Sequence, residues 1–101
     1  MWMYVMFDLP VVEKEERKMA TKFRNHLLDE GFIMAQFSVY YKLIGGKEEI
    51  PKYAKRVEKA LPPKGKVDIL SITDKQYGNI ITYRARKTQK GPKKAAQYLL
   101  F

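Results

Sequence analysis

The chain has 101 residues, 46% of them hydrophobic, with 20 Lys and Arg against 11 Asp and Glu and a net charge of +9. That length fits one domain and buries enough surface to need no covalent staple. The absence of cysteine excludes a disulfide framework, a thiolate zinc site and a cysteine nucleophile, and fits a reducing, cytoplasmic setting. Residues 1–7 are apolar but too short to span a bilayer, so no membrane association is expected.

Residues 2–8, WMYVMFD, predict a first strand, stopped by Pro10. It lacks clean alternation and reads as central and covered on both faces. Glu13, Glu15 and Glu16 load the start of a helix, where the macrodipole favours anions. Met19, Phe23 and Leu27, widened by Ala20 and Leu28, give that helix an apolar stripe over about 13–30. Gly31 ends it in the position a C′ glycine takes. Residues 32–44, FIMAQFSVYYKLI, are β-branched and aromatic but long for one strand. They predict either a bent strand or a pair joined near Gln36–Phe37.

Gly45–Gly46 breaks the pattern. A second helix is predicted over 48–61, with Ile50, Ala54, Val57 and Leu61 inward and Pro51 tolerated in the first turn. Residues 66–72 predict a strand, 74–79 a single helical turn opened by Thr73 or Asp74, and 80–84 (IITYR) a further strand. Residues 85–94 carry no apolar period and read as a mobile basic segment, before strand character returns in 97–101 (QYLLF). The domain is thus expected over 1–84, with a basic tail over 85–101.

This order predicts a ferredoxin-like α+β fold, βαββαβ, with two helices on one face of a four-stranded antiparallel sheet. The open face of such a sheet must be covered, and a twofold homodimer is the commonest way to do so. The charge points to a polyanionic partner. Asp74 is the last acid, and seven bases follow it. Arg84, Arg86, Lys87, Lys90, Lys93 and Lys94 form an acid-free run, suited to gripping a nucleic-acid backbone without reading sequence.

Asp8 stands out as an acid closing a greasy strand. Taken alone, it reads as a turn residue bonding the backbone near Pro10. Three stretches in order change its reading: MYVMFDLP with its terminal Asp8, Gln36-Phe37-Ser38-Val39-Tyr40, and Ile72-Thr73-Asp74-Lys75-Gln76. Over about residues 2–84 these resemble the CRISPR-associated protein 2 family. The resemblance implies a ferredoxin-like homodimer in which a tail strand, IITYR or QYLLF here, extends the partner protomer's sheet. It implies a metal-dependent endonuclease acting on single-stranded RNA or duplex DNA. It also implies a structural partner for CRISPR-associated protein 1 when new spacer DNA is integrated. The family's metal-site acid maps onto Asp8, which would be both the metal ligand and the catalytic carboxylate.

If the first strand lies near the dimer axis, two Asp8 carboxylates approach and repel. Mg²⁺ suits such a pair, since it accepts one or two carboxylates and keeps several waters. Ser38 is the candidate to bond one of those waters, and Phe37 or Tyr40 to stack on a base. Arg17 and Arg24, seven apart on the first helix, are candidates to track phosphates, against an alternative as ordinary solvated residues beside Glu13 and Glu16. His26, the only histidine, sits mid-helix and is read as structural. With one carboxylate per chain, any nuclease here should be slow. The alternative is a non-catalytic adaptor that bridges integrase dimers and binds duplex DNA. A plain RNA-binding module is disfavoured, because the alternating aromatic signature of such sheets is missing.

Overall fold

The computed structural model describes residues 1–85, so the expectations for Arg86, Lys87, Lys90, Lys93, Lys94 and the terminal segment 97–101 lie outside the described residues. The elements are β1 (Trp2–Asp8), α1 (Lys14–Asp29), β2 (Ile33–Gln36), β3 (Val39–Leu43), α2 (Ile50–Lys59), β4 (Lys66–Ile72) and the short α3 (Asp74–Gly78). The sheet runs β2-β3-β1-β4, and each neighbouring pair is antiparallel. The two βαβ halves therefore interleave, as in a ferredoxin-like fold.

Alternation along β1 sets the layers. Met3, Val5 and Phe7 are buried and meet Phe23 and Leu27 of α1, Val57 of α2, and Phe32, Tyr40 and Ile44 in one apolar cluster. Phe23 packs edge-on to Phe7, with ring centroids 5.1 Å apart. Between the helices, His26 Nε2–H donates to the Arg56 carbonyl at 3.0 Å.

The start of α1 is fixed by Glu16, whose Oε1 accepts from the backbone N–H groups of Glu13 (2.9 Å) and Val12 (3.1 Å). These are donors that a helix N-terminus would otherwise leave unpaired. Gly31, at φ +92°, turns the chain out of the helix where a side chain would be strained. Residues 32–44 form a hairpin rather than a bent strand, turning at Phe37–Ser38. Ser38 sits there at φ +68°, a conformation uncommon for residues other than glycine.

Several expectations are corrected. Within the described residues β1 is fully buried on one face only: α1 and α2 pack on that side, and the other face is partly covered by Tyr77 of α3 and residues 80–84. Met19 and Leu28 are exposed, since Ala20, Phe23 and Leu27 already fill the contact with the sheet. The second helix is shorter than 48–61. Lys47–Glu49 forms a tight 3₁₀ turn, α2 begins at Ile50 with Pro51 in its first turn, and Leu61 lies beyond its end, exposed.

Within the single chain, residues 80–84 form no strand: they make no ladder with either edge of its sheet. Strand structure needs an edge to bond, and this segment instead passes the open side. There Ile80, Thr82 and Arg84 line a groove with Tyr4, Tyr41 and Tyr77.

Two outcomes are expected. Phe23→Ala should destabilise the fold by about 3–5 kcal/mol in urea unfolding, the cost of emptying an aromatic site in a packed core. Gly65 has φ +105°, and a Cβ there would lie 2.8 Å from the Asp8 carbonyl oxygen and 2.7 Å from Leu9 Cδ2. Gly65→Ala should thus cost about 1–3 kcal/mol. Gly78→Ala, with nothing within 4 Å of the new Cβ, should be neutral or stabilising in the same assay.

Candidate active site on the open sheet face

The uncovered side of the sheet is paved with aromatic rings. Trp2 stacks on Tyr77 with centroids 3.8 Å apart, and Tyr41 lies 5.6 Å from Trp2 and 5.5 Å from Tyr4. Tyr77 is held there by α3, whose start is a reciprocal cap. Thr73 N–H donates to Gln76 Oε1 (2.8 Å), and Gln76 N–H donates to Thr73 Oγ1 (3.1 Å). The Thr-Asp-Lys-Gln stretch is thus a structural clamp. Around the rings lie the aliphatic side chains of Ile33 (57% exposed), Leu43 (57%) and Leu70 (48%). Partial burial, then the neighbouring Tyr77 and Tyr41, raises the Tyr4 phenol above its ordinary pKa.

Asp8 ends β1 on this same side. Phe7 points into the core, so its neighbour points out, in line with Trp2, Tyr4 and Met6. Asp8 is exposed and, among the described residues, makes neither an ion pair nor a side-chain hydrogen bond. The turn-capping role open to it in the sequence is therefore not taken up. Its backbone is crowded by Gly65, which lets the start of β4 run close against the end of β1.

The β1–β4 register places Lys66 opposite Asp8 and Asp68 opposite Met6. Asp68 is thus a diagonal neighbour of Asp8 on the outer side, at the roughly 7–8 Å spacing of such pairs. Lys66 Nζ sits 3.3 Å from Asp68 Oδ2, which leaves Asp8, of these two acids, without an ion pair among the described residues. Asp68 was missed in the sequence because only the register brings it beside Asp8.

The hairpin turn reaches the same end of the sheet. Phe7 N–H donates to the Ser38 carbonyl at 3.0 Å, so Ser38 and Phe37 flank the strand end that carries Asp8. Phe37 is 84% exposed, a ring free to stack. Tyr40 is buried and stacked on Phe7, so it belongs to the core and cannot meet a base.

Arg17 folds back onto the loop after Asp8, donating from Nη1 to the carbonyls of Val12 (2.7 Å) and Val11 (3.3 Å). Arg24 Nη2 donates to Thr21 Oγ1 at 3.3 Å, on the helix side. Arg84 lies at the groove over the open face. His26, bonded between the helices, is not part of this end of the sheet.

A hard divalent cation needs one or two carboxylates and tolerates water for the rest. Among the described residues no three acids or histidines converge as a ready metal cluster. Of the candidate ligands, Asp8 is exposed and, among the described residues, unpaired, so its carboxylate is free to bind a cation. No helix among the described residues is long and apolar enough to cross a membrane.

The family model described as CRISPR associated protein Cas2 matches residues 1–80. Along all of its length the chain is 50% identical to a Paracidovorax avenae protein named CRISPR-associated endoribonuclease Cas2, covering 94% of that relative. It is 40% identical to the like-named protein of Flavobacterium psychrophilum, covering 88% of it. It is 39% identical to that of Parvibaculum lavamentivorans, covering all of it. The family-model match over most of the chain and the end-to-end similarity to these relatives agree with the fold: the chain belongs to the CRISPR associated protein Cas2 family.

Proposed function

We propose that the chain is a slow, Mg²⁺-dependent endonuclease of CRISPR adaptation that hydrolyses phosphodiester bonds in RNA, with duplex DNA as a second substrate. In a homodimer, the Asp8 carboxylates of the two copies would be the residues that hold the cation. The observation that carries this reading is the state of Asp8: exposed, unpaired and placed at the end of an uncovered apolar sheet face. The printed name of the relatives, endoribonuclease, favours RNA.

In this reading Asp8 orients the cation, and Ser38 and Phe37 position the strand beside it. When bound, Mg²⁺ supplies Lewis-acid stabilisation of the phosphoryl charge and acidifies the attacking water. Hydrolysis would join a water oxygen to phosphorus as its proton passes to solvent, break the P–O bond to the leaving nucleotide, and let solvent return a proton to the leaving oxygen. The only histidine bonds the Arg56 carbonyl, so no imidazole assists as general acid, and the rate stays low.

A second reading is favoured by the basic run beginning at Arg84 and by the open face. The dimer would act as an adaptor for CRISPR-associated protein 1, lying along duplex DNA during spacer integration, with Asp8 dispensable. Both readings require the open face to be covered by a second copy.

Asp8→Asn should lower Mg²⁺-dependent RNA cleavage by about 100-fold or more, and EDTA should abolish wild-type cleavage until Mg²⁺ is restored. Cleavage that survives the substitution would refute the Asp8 centre. Spacer acquisition in cells that persists with Asp8→Ala would assign the physiological role to bridging. By light scattering, the wild type should have about twice the 11.9 kDa chain mass. Leu70→Glu should shift it toward the monomer, because a buried unpaired carboxylate opposes association.

A further inference from the structure

A second feature lies on the other side of the molecule. Three cations gather around one ring: Lys52 Nζ is 4.8 Å, Lys42 Nζ 5.2 Å and Arg56 Cζ 5.4 Å from the centroid of Tyr53. Tyr53 is fixed edge-on to Phe32, with centroids 6.4 Å apart, so the platform is anchored in the core. Lys52 and Arg56 are four apart on α2 and share a helix face. Lys42 sits opposite Met3 in the ladder, on the helix side of the sheet. The cluster therefore faces away from Asp8 and remains accessible when a second copy covers the open face.

Each cation is attracted to the ring quadrupole, but the three are close enough to repel within a Debye length of about 8–10 Å. The acid that answers them is Glu30, whose Oε1 lies 3.0 Å from Arg56 Nη1. Among the described residues, neither Lys42 nor Lys52 forms an ion pair. The cluster thus presents two uncompensated charges on a shallow, preorganised surface. The ring face is taken by cations rather than offered to a base. Those features suit a run of phosphates.

We propose that Lys42, Lys52 and Arg56 form a phosphate-backbone surface for single-stranded RNA on the helix side of the protein, separate from the Asp8 end of the sheet. This rests on the nucleic-acid reading above and extends it to a place where RNA is held but not cut. Binding there is independent of sequence and of Mg²⁺.

The test is fluorescence anisotropy of the full chain with a labelled single-stranded RNA in EDTA, over about 50–200 mM salt. The variant Lys42→Gln/Lys52→Gln/Arg56→Gln should bind roughly 10-fold or more weakly. Its slope of log affinity against log salt should be smaller by about 1.4–2, since each phosphate contact on a single strand contributes about 0.7 and Arg56 is already paired with Glu30. Lys52→Gln alone, at an exposed residue with no ion pair, should lower the slope by about 0.7 without disturbing the fold. Lys14→Gln/Lys18→Gln/Lys22→Gln on α1 removes the same charge elsewhere and should leave most of the slope intact.

Equal losses in the two triple variants would overturn the surface while leaving RNA binding as such in place. Unchanged slopes in both the single and triple cluster variants would overturn it too, and leave the cluster to an acidic protein surface. A wild type with no salt-dependent RNA binding would overturn this inference together with the nucleic-acid reading.

Discussion

β1 is hydrogen-bonded along both edges, to β3 on one side and β4 on the other, and its alternation divides the molecule in two. Met3, Val5 and Phe7 seal the helical layer to the sheet. Trp2, Tyr4 and Met6 are left half-buried on the opposite face, which among the described residues only Tyr77 and residues 80–84 partly cover. Asp8 is the last residue in that outward row, and so takes its direction from the burial of Phe7 next to it. A one-residue slip of β1 would reverse every one of these placements.

The fold spends its polar side chains on geometry more than on chemistry. Glu16 caps α1, Arg17 ties the loop after Asp8 to that helix, and Thr73 with Gln76 sets α3 so that Tyr77 can lie on Trp2. Gly65 lets β4 approach the end of β1 without a side chain in the way. Asp8 is different: among the described residues it has no such partner. An exposed carboxylate loses little by being solvated, so its isolation has no folding penalty. In the proposed homodimer a second acid nearby would make that charge costly, and a cation would relieve it.

The two charged features are separated by the sheet itself. The acid end belongs to the open apolar side, and the cations around Tyr53 belong to the helical side. This separation keeps the phosphate-attracting field away from the carboxylate that would repel the same phosphates. It also means that covering the sheet does not hide the cationic surface.

Much of this was legible in the sequence. The apolar strand closed by Asp8, the stripe of Met19, Phe23 and Leu27 widened by Ala20, and Pro51 within a first helical turn follow from local spacing and from the few conformations each residue permits, while a hairpin near Gln36–Phe37 and a cap at Thr73 are each one of two local options. Local pattern could not say that Met19 and Leu28 are surplus, because a helix stripe is trimmed by the width of the sheet it meets. Nor could it pair Lys66 with Asp8, set Asp68 diagonal to it, or draw Lys42 from the sheet and Lys52 and Arg56 from a helix to one ring. Those depend on register and on layer packing between residues far apart in the chain, and the tertiary structure alone decides them.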